Sequence, residues 1–119
     1  MATITLTSET FEETITSSST LFVDFWAGWC GPCKRFAPVF EAASVKYPDL
    51  TFAKVDTDAE QALSAGLEIQ SIPTLMVFKD GTLIFRQPGA LNAAQFDELI
   101  QKVQAFDVAA AKATQDDAA

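Results

Sequence analysis

The chain has 119 residues, 49% of them hydrophobic, which is the size of one compact domain and too short for two. Sixteen acidic residues against eight basic ones give a net charge of −8, which repels phosphate backbones and anionic lipid surfaces. We therefore expect neither nucleic acids nor membranes among its partners.

The amino-terminal segment predicts a short strand followed by a helix. Thr3 to Leu6 alternates in polarity as a half-buried strand does, and Thr7 or Ser8 is placed to cap a helix that buries Phe11 and Ile15. No basic cluster precedes an apolar run here, so the segment resembles neither a signal peptide nor a membrane-spanning helix. A cytoplasmic location is therefore the expectation.

The run from Leu21 to Ala27 is apolar except for Asp24 and predicts a central strand covered on both faces. Burial there should raise the pKa of the Asp24 carboxyl group, because a low dielectric disfavours the charged form. Such a group can exchange a proton with a thiol near neutral pH. Lys54, in a third predicted strand from Thr51 to Asp56, is the natural charge partner. The alternative is that Asp24 and Lys54 form only a structural ion pair.

The next segment predicts a helix that starts at a proline. Helical spacing begins at Pro32 and continues to about Lys46, before Pro48, with Pro38 expected to kink the helix. The apolar positions that carry this spacing are Phe36, Phe40, Ala43 and Tyr47.

The chain contains two cysteines, Cys30 and Cys33, and no histidine. A structural zinc site needs four ligands, so these residues make zinc a poor interpretation. Attachment of a c-type haem needs His directly after the second cysteine, where this chain has Lys34. The absence of His also excludes a cysteine protease that relies on imidazole.

The cysteine spacing instead favours reversible disulfide chemistry. Residues three apart in a helical turn have Cα atoms roughly 5 Å apart, which suits a disulfide. Unpaired N–H groups at a helix start favour a thiolate there, so Cys30 is the predicted nucleophile and Cys33 the resolving thiol. Two purely structural cysteines are the alternative, but a disulfide that closes so short a loop adds little stability.

The second half of the chain predicts a hairpin. Thr74 to Lys79 and Thr82 to Arg86 read as antiparallel strands joined by a tight turn at Asp80-Gly81. Pro73 precedes the first of these strands and Gly89 follows the second. On the sequence pattern alone, strand ends explain both residues.

Two further helices are predicted around this hairpin. The first runs from Ala59 to Ala65 and is ended by Gly66. The last is capped by Asn92, with Gln95 at the reciprocal capping position. One face of it carries Phe96, Leu99, Ile100, Val103 and Phe106. We therefore predict a domain at residues 1–106, and a helix extension or flexible tail at residues 107–119.

From about Ile4 to Phe106 the sequence resembles the thioredoxin family. The matching motifs are Val23 to Lys34, which holds Trp-Cys-Gly-Pro-Cys, then Pro38, Ser71 to Thr74, and Gly89 to Leu91. The residues that depart from the family pattern are Gln87 and Pro88 before that glycine, and the tail after Phe106.

The resemblance implies an α/β thioredoxin fold, in which helices flank a central mixed β-sheet, and the general reduction of protein disulfides by a monomer. It implies no bound cofactor or metal, because NADPH and flavin act through a partner thioredoxin reductase. Asp24 and Lys54 become the buried acid and its partner, and Pro73 is expected to be cis and to face the active site. The implied substrate contacts are Trp29, Gly31, Pro32, Ile72, Pro73 and Gly89.

Two other functions remain open on the sequence. An oxidase or isomerase on the same fold usually has His between its cysteines, whereas this chain has the uncharged pair Gly31-Pro32. A binding module would use the apolar surface around Trp29 and Ile72, with redox activity incidental.

Overall fold

The sheet is built around the apolar run that contains Asp24. In the computed structural model, which describes residues 2–112, this run forms the middle strand of five. The strands are β1 (Thr3–Thr5), β2 (Thr20–Trp26), β3 (Thr51–Asp56), β4 (Thr74–Lys79) and β5 (Thr82–Pro88). Their order is β1-β3-β2-β4-β5, with β1, β3 and β2 parallel and with β4 and β5 antiparallel to their neighbours. The predicted central mixed sheet is confirmed.

Helices cover both faces of this sheet. They are α1 (Phe11–Ser17), α2 (Gly31–Lys46), α3 (Gln61–Gly66) and α4 (Ala93–Ala105). One face packs against α2 and α4, and its core includes Phe22, Phe40 and Phe96. The opposite face packs against α1 and α3. Because β2 is buried on both faces, any polar side chain on it lies in the interior.

Several local predictions are confirmed. The hairpin turn has positive φ at Asp80 (52°) and Gly81 (78°), as a tight two-residue turn requires. The reciprocal cap of α4 is present: Gln95 N–H donates to Asn92 Oδ1 at 2.8 Å, and Asn92 N–H donates to Gln95 Oε1 at 3.0 Å. Helix α2 ends at Lys46, and Pro38 lies inside it.

The starts and ends of the shorter helices differ from the prediction. The predicted cap of α1 at Thr7 or Ser8 is wrong, because that helix begins at Phe11 with Thr10 at its N-cap. Helix α3 begins at Gln61 and not at Ala59, and Gly66 is its last helical residue and not the residue that follows it. The positive φ of 56° after this helix belongs to Glu68. The Arg86 side chain donates to the carbonyls of Leu67 and Glu68 at 2.6 and 2.7 Å, which holds this turn from β5.

The end of α4 also departs from the pattern. Phe106 was placed on the buried face, but it follows the last helical residue and is 41% exposed. Asp107 Oδ1 accepts the N–H of Ala110 at 3.0 Å, at the start of a separate helical turn over residues 108–112 in which Val108 is buried. Residues 113–119 lie outside the described residues, so the division at residue 106 stays a prediction.

Candidate active site

The two cysteines lie where β2 leads into α2, and a disulfide joins them. Their Cα atoms are 5.2 Å apart. Cys30 is the N-cap residue of α2, and its Sγ accepts the backbone N–H of Cys33 at 3.2 Å. Gly31 and Pro32 are the first two helical residues and are exposed. The fold therefore places the Cys30 sulfur against the free N–H groups of the helix start.

Neither cysteine is exposed in this disulfide form. Cys30 is 4% accessible and Cys33 is 3% accessible. Both pack with Ala27, and with the partly buried side chains of Trp26 and Ile72. The distinction between the two sulfurs therefore depends on the helix start, which contacts Cys30, and not on exposure.

The loop before β4 covers the disulfide. The Ile72 carbonyl oxygen lies 3.6 Å from Cys30 Sγ, and the peptide bond between Ile72 and Pro73 is cis. The Pro73 carbonyl accepts the Gly89 N–H at 2.7 Å. Gly89 has a φ of 104°, a conformation that side chains disfavour, so glycine is needed there. The structure thus brings three of the predicted contact residues to the Cys30 side of the site.

Trp29 forms the opposite border of the site and is 70% exposed. Its Nε1–H donates to Asp58 Oδ2 at 3.1 Å. A groove of about 150 Å³ runs between Trp29 and the segment from Ile69 to Ile72. Sequence reasoning missed Asp58. Its signal was its place just after β3, whose end lies at the same sheet edge as the cysteines.

Asp24 is fully buried on β2, and neither of its carboxylate oxygens has a hydrogen-bond partner within residues 2–112. Burial raises the pKa of this carboxyl group from 3.8 to about 7, and the positive charge of Lys54 opposes that rise. Lys54 is paired with Asp24 in the strand register. Asp24 therefore lies on the sheet face covered by α2, and it can change protonation state near neutral pH.

The predicted ion-pair alternative for Asp24 and Lys54 is wrong in its geometry. Among the described residues, no nitrogen of Lys54 lies within 4.0 Å of a carboxylate oxygen. The ammonium instead lies 5.1 Å from the centroid of the Trp26 ring. Trp26 was not singled out from the sequence, because an aromatic residue in an apolar strand gives no signal beyond burial.

A small cavity lies between the Lys54 side chain and the disulfide. Its volume is about 150 Å³, and its lining includes Trp26, Cys33 and Lys54. Cys33 is thus next to the space that the Lys54 side chain enters. Within the described part of the chain, no three His, Cys, Asp or Glu side chains are arranged to hold a metal ion.

Comparison with known proteins agrees with this geometry. A thioredoxin family model matches residues 2–105. A protein named putative thioredoxin 2, from Streptomyces coelicolor, is 45% identical over 107 residues, covering 90% of this chain and 80% of that protein. The chain belongs to the thioredoxin family. It is accordingly a dithiol oxidoreductase whose redox-active pair is Cys30 and Cys33.

Further relatives support the same conclusion. Mycobacterium tuberculosis thioredoxin is 44% identical over 95 residues, which cover 78% of this chain and 82% of that protein. A solved Plasmodium falciparum thioredoxin structure has a TM-score of 0.77 at 37% identity, covering 83% of this chain and 97% of that one. Mitochondrial thioredoxin 3 from Saccharomyces cerevisiae has a TM-score of 0.76 at 34% identity, covering 83% and 93%. The thioredoxin fold predicted from the resemblance is therefore confirmed.

No helix within residues 2–112 is both long enough and apolar enough to cross a membrane. Members of the thioredoxin family act on disulfide substrates, and the site described above is built for that exchange.

Proposed function

We propose that this thioredoxin-family protein reduces disulfide bonds in protein substrates, with Cys30 as the attacking thiolate and Cys33 as the resolving thiol. The observation that carries the proposal is the position of Cys30 at the N-cap of α2, where its sulfur accepts the Cys33 N–H. A helix start and this N–H both stabilise a negative charge on that sulfur. Cys33, one turn further into the helix, lacks that position.

The exchange proceeds in two steps. The Cys30 thiolate attacks one sulfur of the substrate disulfide, forms a mixed disulfide, and releases the other substrate sulfur as a thiolate that takes up a proton. Cys33 then loses its proton and attacks Cys30 Sγ. This second attack closes the Cys30–Cys33 disulfide and releases the second substrate thiol. Two electrons pass to the substrate.

Asp24 is the proposed acceptor of the Cys33 proton. Its pKa of about 7 gives comparable amounts of carboxylate and carboxylic acid near neutral pH. The carboxylate can take up the proton as Cys33 attacks, and the acid can return it when the disulfide is reduced again. Lys54 supplies the positive charge that keeps part of the Asp24 population ionised.

The substrate is proposed to lie across the border between Trp29 and the loop at Ile72 and Pro73. The groove beside Trp29 offers an apolar wall, and the exposed Gly31 and Pro32 leave room above the cysteines. An extended peptide can pair with backbone groups next to Pro73 as an added strand. Gly89, hydrogen-bonded to Pro73, would border the same peptide.

The reducing direction is favoured by the residues between the cysteines. Gly31 and Pro32 add no charge that would stabilise the Cys30 thiolate further, and a more stable thiolate makes a disulfide a stronger oxidant. We propose that a flavin-containing thioredoxin reductase returns the disulfide to the dithiol with electrons from NADPH. We further propose that the protein is a cytoplasmic monomer that itself binds no cofactor.

A coupled assay tests this function. The protein is incubated with insulin, a thioredoxin reductase and NADPH, and NADPH oxidation is followed by absorbance. We expect turnover that depends on both cysteines, with the Cys30→Ser and Cys33→Ser double variant as the matched control. The proposal would be refuted if that variant oxidised NADPH as fast as the wild type. It would also be refuted if the wild type oxidised no NADPH and the chemically reduced protein left insulin intact. Insulin reduction by the chemically reduced protein alone would refute only the recycling partner.

A further inference from the structure

Trp26 lies at the end of β2, two residues after Asp24 and on the same face of the sheet. Lys54 is paired with Asp24 in register, so its side chain begins on that face as well. Yet the Lys54 ammonium lies 5.1 Å from the Trp26 ring centroid, and no ion pair with Asp24 forms. The Lys54 ammonium thus lies near the buried Asp24 carboxyl group without forming an ion pair with it.

We propose that Trp26 is a positioning residue of the resolving step, which holds the Lys54 ammonium over its ring at a fixed separation from Asp24. The inference rests on the role of Asp24 proposed above. It concerns a residue that acts through Lys54 and does not itself touch the reacting sulfur atoms.

The physical reason is the electron-rich face of the indole ring, which attracts a cation more strongly than other aromatic side chains do. A close ion pair with Lys54 would keep Asp24 ionised at neutral pH, so it could not return a proton. If Lys54 instead turned out to solvent, Asp24 would stay protonated and could not accept one. Attraction to the Trp26 ring places the Lys54 ammonium between these two extremes.

The surroundings of the cluster leave few other charges to consider. Lys54 is the charged group that acts on the Asp24 pKa. On β3, Asp56 lies opposite Trp26, and its Oδ1 already accepts the N–H groups of Asp58 and Ala59 at 3.0 and 3.4 Å. Helix α2 contributes two groups to the cavity lining, the Cys33 thiol, which titrates when reduced, and the charged Lys34, while β4 pairs the apolar Leu75 with Asp24.

The ring itself is available for this role. The Trp26 Nε1 atom is buried and has no hydrogen-bond partner among the described residues, so no polar contact fixes the indole elsewhere. The cavity of about 150 Å³ lined by Trp26, Lys54 and Cys33 gives the lysine side chain space to lie there. The Lys54 charge is therefore held at the wall of the cavity that Cys33 also lines.

The test measures how strongly Trp26 and Lys54 are coupled in their effect on Asp24. The titration of the Asp24 carboxyl is followed by carbon NMR in the oxidised full-length protein, where neither cysteine titrates. Four proteins form the cycle: wild type, Trp26→Leu, Lys54→Met and the double variant. Trp26→Phe keeps an aromatic face that attracts a cation less strongly. It is measured in two backgrounds, one with the native Lys54 and one with Lys54→Met.

Without the ring, the Lys54 ammonium should turn out to solvent, because water hydrates it better than an apolar Leu side chain does. We therefore expect Trp26→Leu to raise the Asp24 midpoint by about half a pH unit more in the presence of Lys54 than in its absence. The comparison within the cycle removes any change in burial that the smaller side chain causes, because that change occurs in both backgrounds. Trp26→Phe should give a smaller coupling of the same sign.

An identical shift in both backgrounds, or coupling of the opposite sign, would overturn the proposal. If Trp26→Leu does not fold, the Trp26→Phe cycle decides, and zero coupling there overturns it. Because the titration uses the oxidised protein and needs no turnover, its failure would leave disulfide reduction by Cys30 and Cys33 untouched.

Discussion

Two neighbouring residue pairs on the same face of the sheet have opposite effects on the stability of the fold. Phe22 on β2 pairs in register with Phe52 on β3, and their rings stack at 5.0 Å. Two residues further along both strands, Asp24 pairs with Lys54, and the carboxylate has no hydrogen-bond partner in the described chain. Burial stabilises the fold at the first pair and opposes it at the second, where a charged carboxylate is costly to bury.

The largest effects should come from the cysteines beside the polar pair. We expect Cys30→Ser to abolish turnover and to trap almost no substrate, because the attacking thiolate is gone. Cys33→Ser should also stop turnover but accumulate mixed disulfides through Cys30. Mass spectrometry of non-reduced complexes checks both outcomes, and equal trapping by the two variants would contradict the assigned roles.

Removing a ring from the aromatic pair should cost the fold most. Phe22 is fully buried and contacts both Phe52 and Phe96, so Phe22→Ala should lower the free energy of unfolding by about 3–5 kcal/mol. Urea denaturation measures the loss. Phe22→Leu is the control and should lose less. A loss under about 1 kcal/mol for Phe22→Ala would mean that this end of the sheet does not carry the stability.

Replacing Asp24, the acid of the polar pair, should raise the free energy of unfolding instead of lowering it. The folded pKa of Asp24 is raised from 3.8 to about 7, so the folded state binds more protons between these values. Stability from this group is therefore fully present below about pH 4 and declines as the pH rises through about 7. The full decline is at most about 4 kcal/mol.

Asp24→Asn removes that decline, so we expect the variant to be more stable than wild type at pH 8 and to resolve mixed disulfides more slowly. Urea denaturation at pH 4.5 and pH 8 measures the first effect. The control is Asp97→Asn: hydrogen bonds from Lys46 and Tyr47 lower the Asp97 pKa from 3.8, so its contribution is present at both pH values and this variant should be less stable than wild type at each. Lower stability of Asp24→Asn at both pH values, with unchanged resolution, would make Asp24 a purely structural residue.

The smallest effect compares the starts of the two long helices. Helix α2 uses the Cys30 sulfur at its N-cap, whereas α4 uses the Asn92 amide oxygen. We expect Asn92→Ala to lower stability by about 1 kcal/mol with insulin reduction unchanged. Thermal denaturation checks the loss, and Asn92→Ser, which can still cap, should lose less. A fall in turnover without a fall in stability would link α4 to the site.

The sequence indicated the disulfide chemistry because its signals are short in range. The Cys30 and Cys33 spacing, the position at a helix start and the buried Asp24 were all readable within a few residues. The covering of Cys30 could not be read in this way, because Ile72, whose carbonyl oxygen lies 3.6 Å from the Cys30 sulfur, is 42 positions away along the chain. No local pattern reports such a contact.

The sequence by itself determined the apolar central strand, the Asp80-Gly81 hairpin, the capping box at Asn92 and the reactive cysteine pair, since each depends on residues close in the chain. Tertiary structure decided where Lys54 places its charge and how the turn after α3 is held. Both depend on side chains brought from other strands, Trp26 in the first case and Arg86 in the second. Packing sets these contacts, because only the folded sheet brings residues that are distant in the chain within reach of one another.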